Sequence, residues 1–426
     1  MLAQVAEWDF IIIGGGIVGC SAAYYLARTG ARTLLVERDD VASTQSGRNL
    51  GFVRQQGRDF RELELAIEAN RIWRGLEAEL GRSVGWMQGG QLAVAATPEG
   101  LTGFETWTRR ARDYGLDTRM VTPAEMAELS PLLRRDYLGG MYTASDGKAD
   151  PVMATRAYAE AARANGATIA VGRGVDSIET QAGAVTGIRI GDRLLKAKTV
   201  ICAAGAGTSA LLRRVGLSLP QDVIRATVVR TEPTQVKLDV GLWGLSVGIR
   251  QSKDGTIHMS HAGGDYDVRF DSLRYARWFA KPLRQNAQSV RLNFLHPLQR
   301  LAPRGQFDCT DIPPSSEKPQ ASSRRARQAF EEFTSMVPSL AELRILSIWA
   351  GYIDNTPDLI PAIGGTNAAR GLVIATGFSG HGFCAGPAAG KAVADLAVTG
   401  KPAAYLRDLS PDRFADGTWS GPQGAL

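Results

Sequence analysis

Along the first forty residues, the apolar positions form two short continuous runs separated by a helical pattern. The run Phe10–Ile13 has no polar interruption, which is typical of a buried parallel strand. Glycines follow it directly, and the apolar spacing over 17–29 then predicts a helix that ends at Gly30. A second run, Thr33–Val36, predicts another strand. The order strand, helix, strand predicts the first unit of a Rossmann-like parallel sheet.

The rest of the chain alternates between helix-length and strand-length segments. Helices are predicted at 61–80, 98–114 and 151–164. Strands are predicted at 91–94, 168–171, 185–190, 199–203 and 372–376, with a strand-like region at 220–262. Residues 41–54 are small, polar and rich in glycine, so we expect a loop there. We expect the last helix to begin at Gly386-Pro387, because proline is favoured in a first helical turn.

This order of elements predicts an α/β (α+β) fold in which a Rossmann-like domain is interrupted by an antiparallel-sheet substrate domain. At 426 residues the chain is too long for one ordinary core, which supports two joined domains. The nucleotide-binding domain is assigned to 1–85, 145–219 and 330–426. The substrate or partner domain is assigned to 86–144 and 220–329, with an insertion at 265–325.

Composition limits the classes of protein to consider. Hydrophobic residues make up 44% and charged residues 22% of the chain, as in globular proteins, and no apolar run approaches the roughly 18 residues of a membrane span. The first residues lack the basic segment of a signal peptide. The four cysteines are scattered, so we expect no metal site and a reducing, cytoplasmic setting.

The net charge of +6 is concentrated in one stretch, 269–304, which has eight Lys or Arg residues and one acid. A solvated basic face is the simplest interpretation, and a partner subunit or an anionic membrane are the alternatives. The stretch matches no nucleic-acid-binding motif, so we do not expect nucleic acid as a partner.

Candidate chemistry begins at the first glycine turn. Gly14, Gly16 and Gly19 fit the G-x-G-x-x-G pattern, which allows a tight turn, the approach of a pyrophosphate to the backbone, and close packing of helix on strand. Glu37 ends the second strand, where a carboxylate binds ribose hydroxyls and repels a 2′-phosphate. The pattern therefore predicts an unphosphorylated dinucleotide and leaves FAD and NAD open.

Three further patches narrow the choice: the loop Ser46–Asn49, the turn Ala203–Gly205 after a predicted strand, and the glycine-rich segment Gly377–Phe383. Together with the first turn they resemble the D-amino-acid oxidase superfamily of FAD enzymes. The segments 251–255 and 349–358 make the chain most similar to the β subunits of heteromeric sarcosine oxidases and opine oxidases.

That resemblance implies a Rossmann-like FAD-binding domain with non-covalent FAD. It also implies oxidation of an amino-acid-like amine to an imine, which then hydrolyses. The cofactor contacts that it implies are Gly14, Gly16, Ile17, Val18, Gly19, Glu37, Arg38, Ser46, Gly47, Arg48, Asn49, Leu50, Val175, Ala203, Ala204, Gly205, Gly351, Gly377, Ser379, Gly380, His381, Gly382 and Phe383. We expect the helix after the last glycine segment to direct its N-terminus at the reduced flavin.

Three residues are catalytic candidates. Arg54 resembles the family arginine that binds a substrate carboxylate, a task that suits its two-pronged guanidinium. His258 and His261 lie on a predicted strand near the substrate side and are candidates for keeping the amine neutral. His381 is interpreted as a cofactor contact and not as a base.

The chain departs from the family pattern at three positions. Cys384 stands where sarcosine oxidases have a second carboxylate-binding lysine, and Ile353 stands where glycine oxidases have an arginine. Ala149 replaces the histidine to which the β subunits attach FMN. We therefore expect no covalent FMN and doubt sarcosine as substrate, while a non-covalent FMN at a subunit interface stays open.

The function that follows is FAD-dependent oxidation of a secondary amine such as an opine, by the catalytic subunit of a heteromer. One alternative is a membrane-associated, quinone-linked D-amino-acid dehydrogenase, and another is a scaffold subunit that only holds flavin. The insertion mixes cations with apolar residues, as interfaces do, so we expect it to dock a partner subunit. Its expected anchors are Trp278, Phe279, Leu283, Leu292, Phe294 and Leu295, with Pro282 and Pro297 preventing a long helix.

Overall fold

The computed structural model describes residues 7–285, 290–293 and 318–423. Its first sheet has eight strands, and the predicted parallel order is present around the first strand. The strands are β1 (Trp8–Ile13), β2 (Thr33–Val36), β9 (Thr168–Ala170), β10 (Ser177–Gln181), β11 (Ala184–Ile190), β12 (Arg193–Cys202), β20 (Ala362–Gly365) and β21 (Leu372–Thr376). Strand β1 lies between β2 and β12, parallel to both, and β21 continues the parallel set beyond β12.

Helices cover this sheet because the strands are apolar on both faces. The helices are α1 (Ile17–Ala27), α6 (Pro151–Ala164), α7 (Thr208–Arg214) and α11 (Gly382–Thr399), and α1 packs against both α6 and α11. Asp150 caps α6 as predicted, its side chain accepting a hydrogen bond from the Met153 amide. The carboxyl ends of β1, β2, β12 and β21 therefore open at one edge, where ligands of such sheets bind.

The second sheet has ten strands and is mostly antiparallel. They are β5 (Gln91–Ala95), β6 (Thr118–Val121), β7 (Gly139–Thr143), β13 (Asp222–Pro233), β14 (Gly241–Trp243), β15 (Val247–Gln251), β16 (Thr256–His261), β17 (Gly264–Asp267), β18 (Val290–Asn293) and β19 (Ile345–Asn355). The helices assigned with it are α4 (Pro98–Ala111), α5 (Pro123–Leu129), α8 (Phe270–Arg274), α9 (Ala276–Gln285) and α10 (Ser323–Met336). These two sheets confirm the predicted fold class.

A small three-stranded sheet supports the loop after β2. Its strands are β3 (Phe52–Val53), β4 (Met87–Gln88) and β8 (Gly147–Lys148), and the helices α2 (Gln45–Arg48) and α3 (Phe60–Leu80) adjoin it in sequence. The expectation of a plain loop over 41–54 is therefore wrong. The domain boundaries stay a prediction. Strand β19 belongs by sequence to the proposed FAD-binding segments, but it pairs with β13 of the second sheet.

Two expectations about helices and the insertion are corrected. The last helix begins at Gly382 and not at Gly386, so Pro387 lies inside it. Helix α9 continues through position 282, where we expected a break; a proline there removes a single helical hydrogen bond. Burial of neighbouring aromatic residues offsets that loss: Phe279 is buried, and Trp278 packs on Phe414 and Trp419.

The predicted docking anchors of the insertion are therefore not available as expected. Trp278 and Phe279 pack against their own chain, and Leu283 lines the cleft described below. Leu292 is exposed. Phe294, Leu295 and Pro297 lie outside the described residues.

Candidate active site

A cleft of about 880 Å³ opens at the carboxyl edge of the first sheet and extends to the second sheet. It brings together most of the residues that the sequence singled out. The predicted residues that line it are Gly14, Gly16, Ile17, Val18, Glu37, Arg38, Ser46, Arg48, Asn49, Leu50, Arg54, Val175, Ala203, Ala204, Gly205, Gly351, His261, Ser379, Gly380, His381, Gly382 and Phe383. Those that do not line it are Gly19, Gly47, Gly377 and His258.

The first glycine turn has little space for any side chain. Gly14 has φ +112°, and a Cβ there would overlap the carbonyl oxygen of Ala203. A Cβ on Gly19 would overlap the Gly14 carbonyl oxygen, which explains why Gly19 packs behind the cleft instead of lining it. A Cβ on Gly16 would lie 3.0 Å from Ser46 Oγ.

Ser46 reaches the same turn from helix α2. Its Oγ accepts a hydrogen bond from the Ile17 amide at 2.9 Å, so one of the free amides at the start of α1 is already occupied by a side chain. A Cβ on Gly47 would overlap the Ala42 carbonyl oxygen, so Gly47 is required for the shape of this loop. Residues 42–47 thus close over the helix N-terminus at which a pyrophosphate would bind.

Glu37 is held in a fixed orientation at the end of β2. Its two carboxylate oxygens accept hydrogen bonds from the amides of Gly15, at 2.5 Å, and Asp39, at 2.8 Å. Burial raises its pKa, although both hydrogen bonds act in the opposite direction. A carboxylate oxygen accepts more than one hydrogen bond, so this group retains capacity for ribose hydroxyls.

Arg48 fastens the loop to the second sheet. Its Nε donates to Ser43 O and its Nη1 to Ala350 O, both at 3.1 Å. The Trp349 indole donates to Arg48 O, and Gly351 lies so close that a Cβ would be 3.0 Å from Arg48 Cβ. Burial lowers the Arg48 pKa.

Sequence reasoning missed Asp354, the residue that joins the loops around the cleft. Its buried carboxylate accepts hydrogen bonds from the Gln45 amide at 2.6 Å, the Gln221 amide at 3.1 Å and the Gly377 N–H at 2.8 Å. Burial raises its pKa. The only sequence signal was an acid next to apolar residues near the end of a predicted strand. Its partners are more than a hundred residues away in two of the three cases.

The last glycine segment bends sharply before helix α11. Gly377, Ser379 and Gly380 all have positive φ, between +49° and +87°. Because α11 begins at Gly382, its first free amides belong to Gly382 and Phe383, which line the cleft. The position expected for the helix N-terminus, Gly386, instead packs against Ile17.

His381 is paired with an acid that the sequence did not reveal. Its Nδ1 lies 2.8 Å from Oε1 of Glu62, a buried residue in the first turn of α3. Burial and the charge of Arg58 lower the His381 pKa, and Glu62 acts in the opposite direction. His381 and Glu62 both line the cleft.

Arg54 lies inside the cleft without a partner anion among the described residues. It is 5% exposed, its guanidinium carbon is 4.5 Å from the centre of the Trp243 ring, and its Nη1 has no hydrogen bond. Burial, and then repulsion from Arg58, lower its pKa to about 9. An unpaired buried cation is costly, so this position favours an anionic ligand.

The two strand histidines differ in position. His261 lines the cleft, its Nδ1 accepts a hydrogen bond from the Gly263 amide at 2.9 Å, and burial lowers its pKa. His258 does not line the cleft: it contacts the edge of Trp349 and the Thr256 hydroxyl. A direct catalytic role for His258 is therefore not supported by its position.

The positions that depart from the family pattern differ in their surroundings. Cys384 is buried, with its Sγ 3.5 Å from Arg54 O, and Ala149 is buried beside Lys148. The Lys148 ammonium donates to the carbonyls of Leu238 and Asp239, and Ile353 lines the cleft. A non-covalent FMN stays a prediction. Within the described ranges no cluster of metal-ligating side chains occurs, and no helix is both long and apolar enough to cross a membrane.

The chain is similar in sequence to known proteins over most of its length. A family model described as FAD dependent oxidoreductase (DAO) matches residues 9–396. Rat mitochondrial dimethylglycine dehydrogenase is 26% identical over 98% of the chain, but the chain spans only 46% of that protein. An opine oxidase subunit from Rhizobium meliloti is 26% identical over 92% of the chain and 96% of its own length.

Solved structures share the same fold. L-proline dehydrogenase from P. horikoshii superposes with a TM-score of 0.80 at 25% identity, covering 96% of this chain and 98% of that one. L-amino acid deaminase from Proteus myxofaciens superposes with a TM-score of 0.88 at 21% identity, covering 96% and 94%. The latter likeness concerns the fold alone.

Proposed function

The chain belongs to the DAO family of FAD-dependent oxidoreductases, and from this premise we propose that it oxidises the C–N bond of an amino-acid-like secondary amine. Opines, N-alkyl amino acids and imino acids are the substrates that we consider. The similarity to an opine oxidase subunit, which extends over nearly the whole of that relative, supports this class. The observation that carries the proposal is the buried Arg54 with an unbonded Nη1 in the cleft.

The residues of the cleft fit FAD. The glycine turn at 14–19 and the start of α1 would hold the pyrophosphate, and Glu37 would hold the ribose. The amides of Gly382 and Phe383 would face the flavin, where a helix N-terminus favours negative charge. When bound, FAD accepts a hydride from the carbon next to the amine nitrogen, leaving an imine that water hydrolyses.

The protein's own groups would orient the amine and remove its proton. Arg54 would bind the substrate carboxylate through a bidentate, charge-assisted pair. His261 lines the cleft, and its lowered pKa keeps its ring neutral and able to accept a proton from the substrate ammonium. A neutral amine is the form that can give up hydride.

We also propose that the chain is the catalytic subunit of a heteromer, on the basis of its similarity to the opine oxidase relative, whose printed name makes it a subunit. A cytoplasmic setting is proposed because Cys20, Cys202 and Cys384 are all buried free thiols. Both statements extend the family assignment and are tested separately from it.

The test is anaerobic reduction of the bound flavin with a panel of amines, followed as the loss of its visible absorbance. Opine-like amines should reduce the flavin faster than sarcosine does. The Arg54→Ala variant should raise the apparent KM for carboxylate-bearing amines by about 2–5 kcal/mol in binding, because it removes the guanidinium that lies over Trp243.

The Arg74→Ala variant is the matched control, because Arg74 is exposed on helix α3. It should leave the KM unchanged. An oxidised flavin that no amine in the panel reduces would refute the proposed activity. An Arg54→Ala variant with unchanged KM values would refute the role of Arg54 alone.

A further inference from the structure

Arg58 is a second buried cation in the cleft, and neither the glycine motifs nor the catalytic candidates account for it. It is 5% exposed and lines the cleft near Arg54. Its Nε donates to Arg54 O at 3.1 Å, which fixes the base of the guanidinium and leaves its two terminal nitrogens for other contacts. Within the part of the chain that the structure describes, those two nitrogens form no hydrogen bond and no ion pair.

The acids around the two arginines are engaged elsewhere. Asp146 accepts three hydrogen bonds, from the amides of Gln55 and Gln56 and from the Gln55 side chain, at 2.8–3.2 Å. Glu62 faces His381 at 2.8 Å. Neither acid lies within ion-pair distance of Arg54 or Arg58 among the residues described, so the guanidiniums share a cavity without a bound counter-anion.

The position of Cys384 adds a second observation. Cys384 is buried behind the backbone of Arg54 and does not line the cleft, so this helix contributes no cation at that position. The short segment before α3 supplies two guanidiniums instead. Each has the planar fork that binds one carboxylate in a bidentate manner.

We propose that Arg54 and Arg58 form a two-carboxylate site, so that the substrate is an amine flanked by two acidic arms. The inference rests on the proposed function and narrows it from secondary amines to aminodicarboxylic compounds. One arm pairs with Arg54 on Trp243, and the other pairs with Arg58. The physical reason is the cost of burying two cations that only two anions relieve.

The test uses two thioethers that replace the amine NH by sulfur and therefore cannot be oxidised in the same way. Thiodiacetate has two carboxylates, and (methylthio)acetate has one. Their dissociation constants are measured on the FAD-loaded protein from changes in the flavin absorption spectrum, without turnover. The wild-type protein should bind thiodiacetate at least about tenfold more tightly.

The Arg58→Gln variant should weaken thiodiacetate binding by about 30-fold or more, and should change the affinity for (methylthio)acetate by less than about twofold. Arg54→Gln should weaken both ligands. Arg58→Lys, which keeps the charge without the fork, should restore part of the affinity. Arg74→Gln should change neither dissociation constant.

Flavin content and the thermal unfolding midpoint show whether each variant is folded. Equal binding of the two thioethers to the wild type overturns the inference, as does an equal effect of Arg58→Gln on both. This outcome is distinct from failure of the proposed function. If monocarboxylic amines reduce the flavin while Arg58→Gln has no selective effect, the activity stands and the two-carboxylate site is wrong.

Discussion

Among single residues, His258 shows how burial controls a titratable group outside the cleft. Its Nδ1 is buried without a hydrogen bond, and Arg250 and Arg230 face it, with Asp254 as the nearby acid. Burial first, and then the two arginines, lower its pKa to about 3. The folded state therefore resists protonation of this ring.

The sign of the pH effect follows from linkage. The ordinary pKa of His258 is 6.5, so between pH 6.5 and pH 3 the unfolded chain binds the proton that the folded chain excludes. The stability that this neutral histidine provides is complete above pH 6.5 and is lost as the pH falls. At pH 5 the loss is roughly 2 kcal/mol.

We predict that His258→Phe reduces the loss of stability on acidification. Phenylalanine keeps an aromatic ring beside Trp349 and has no proton to bind. The measurement is the urea midpoint at pH 7.5 and pH 5 for both proteins. An acid-induced decrease of the same size in the two proteins would contradict the assignment of this pKa shift to His258.

Among the structural elements, the turn from β1 to α1 depends on the absence of side chains. Gly16 lies beside Ser46, whose hydroxyl caps the first amide of α1. A larger residue at 16 would displace Ser46 and fill the position of the pyrophosphate at once. The whole strand–turn–helix unit is therefore sensitive to one added side chain.

We predict that Gly16→Val yields a protein without FAD, while Gly75→Ala, in open space on helix α3, keeps it. The measurement is the flavin absorbance per chain after purification. The wild-type flavin should be released on acid precipitation, because the attachment is non-covalent. Yellow colour retained in the acid pellet would contradict this, as would full flavin occupancy in Gly16→Val.

For the molecule as a whole, the partner surface has to be placed anew. Much of the described part of the insertion packs inward, and Arg269 forms a buried ion pair with Asp222, so deleting 270–300 would disturb the fold. The first residues of β19 offer an alternative. Ile345, Leu346 and Ile348 are all exposed at the start of this strand of the second sheet, with Leu346 58% exposed.

We predict that the double substitution Leu346→Glu with Ile348→Glu releases the partner subunit on gel filtration and leaves FAD bound. Leu273→Glu, which alters an exposed apolar residue in the insertion, is the comparison. If Leu273→Glu releases the partner and the β19 variant does not, the insertion is the interface after all. Retention of the partner in both variants would exclude these two surfaces.

The local elements could be predicted from the amino-acid sequence alone. The runs at Phe10–Ile13 and Thr33–Val36, the cap at Asp150 and the glycine turn at 14–19 are set by burial, capping and backbone freedom over a few residues. Because these effects are local, they predicted the fold class, and together with the family resemblance they predicted the FAD dependence. The helix start at Gly382 was missed because the proline signal at 387 is only a preference.

Which side chains meet depends on the folded chain. Asp354 joins Gln45, Gln221 and Gly377 across the chain, and Glu62 meets His381 from another helix. No spacing in the sequence encodes these contacts, because each depends on the packing of distant elements. The same holds for Arg58, whose charge is significant because folding buries it beside Arg54 and, among the described residues, leaves both guanidiniums without a counter-anion.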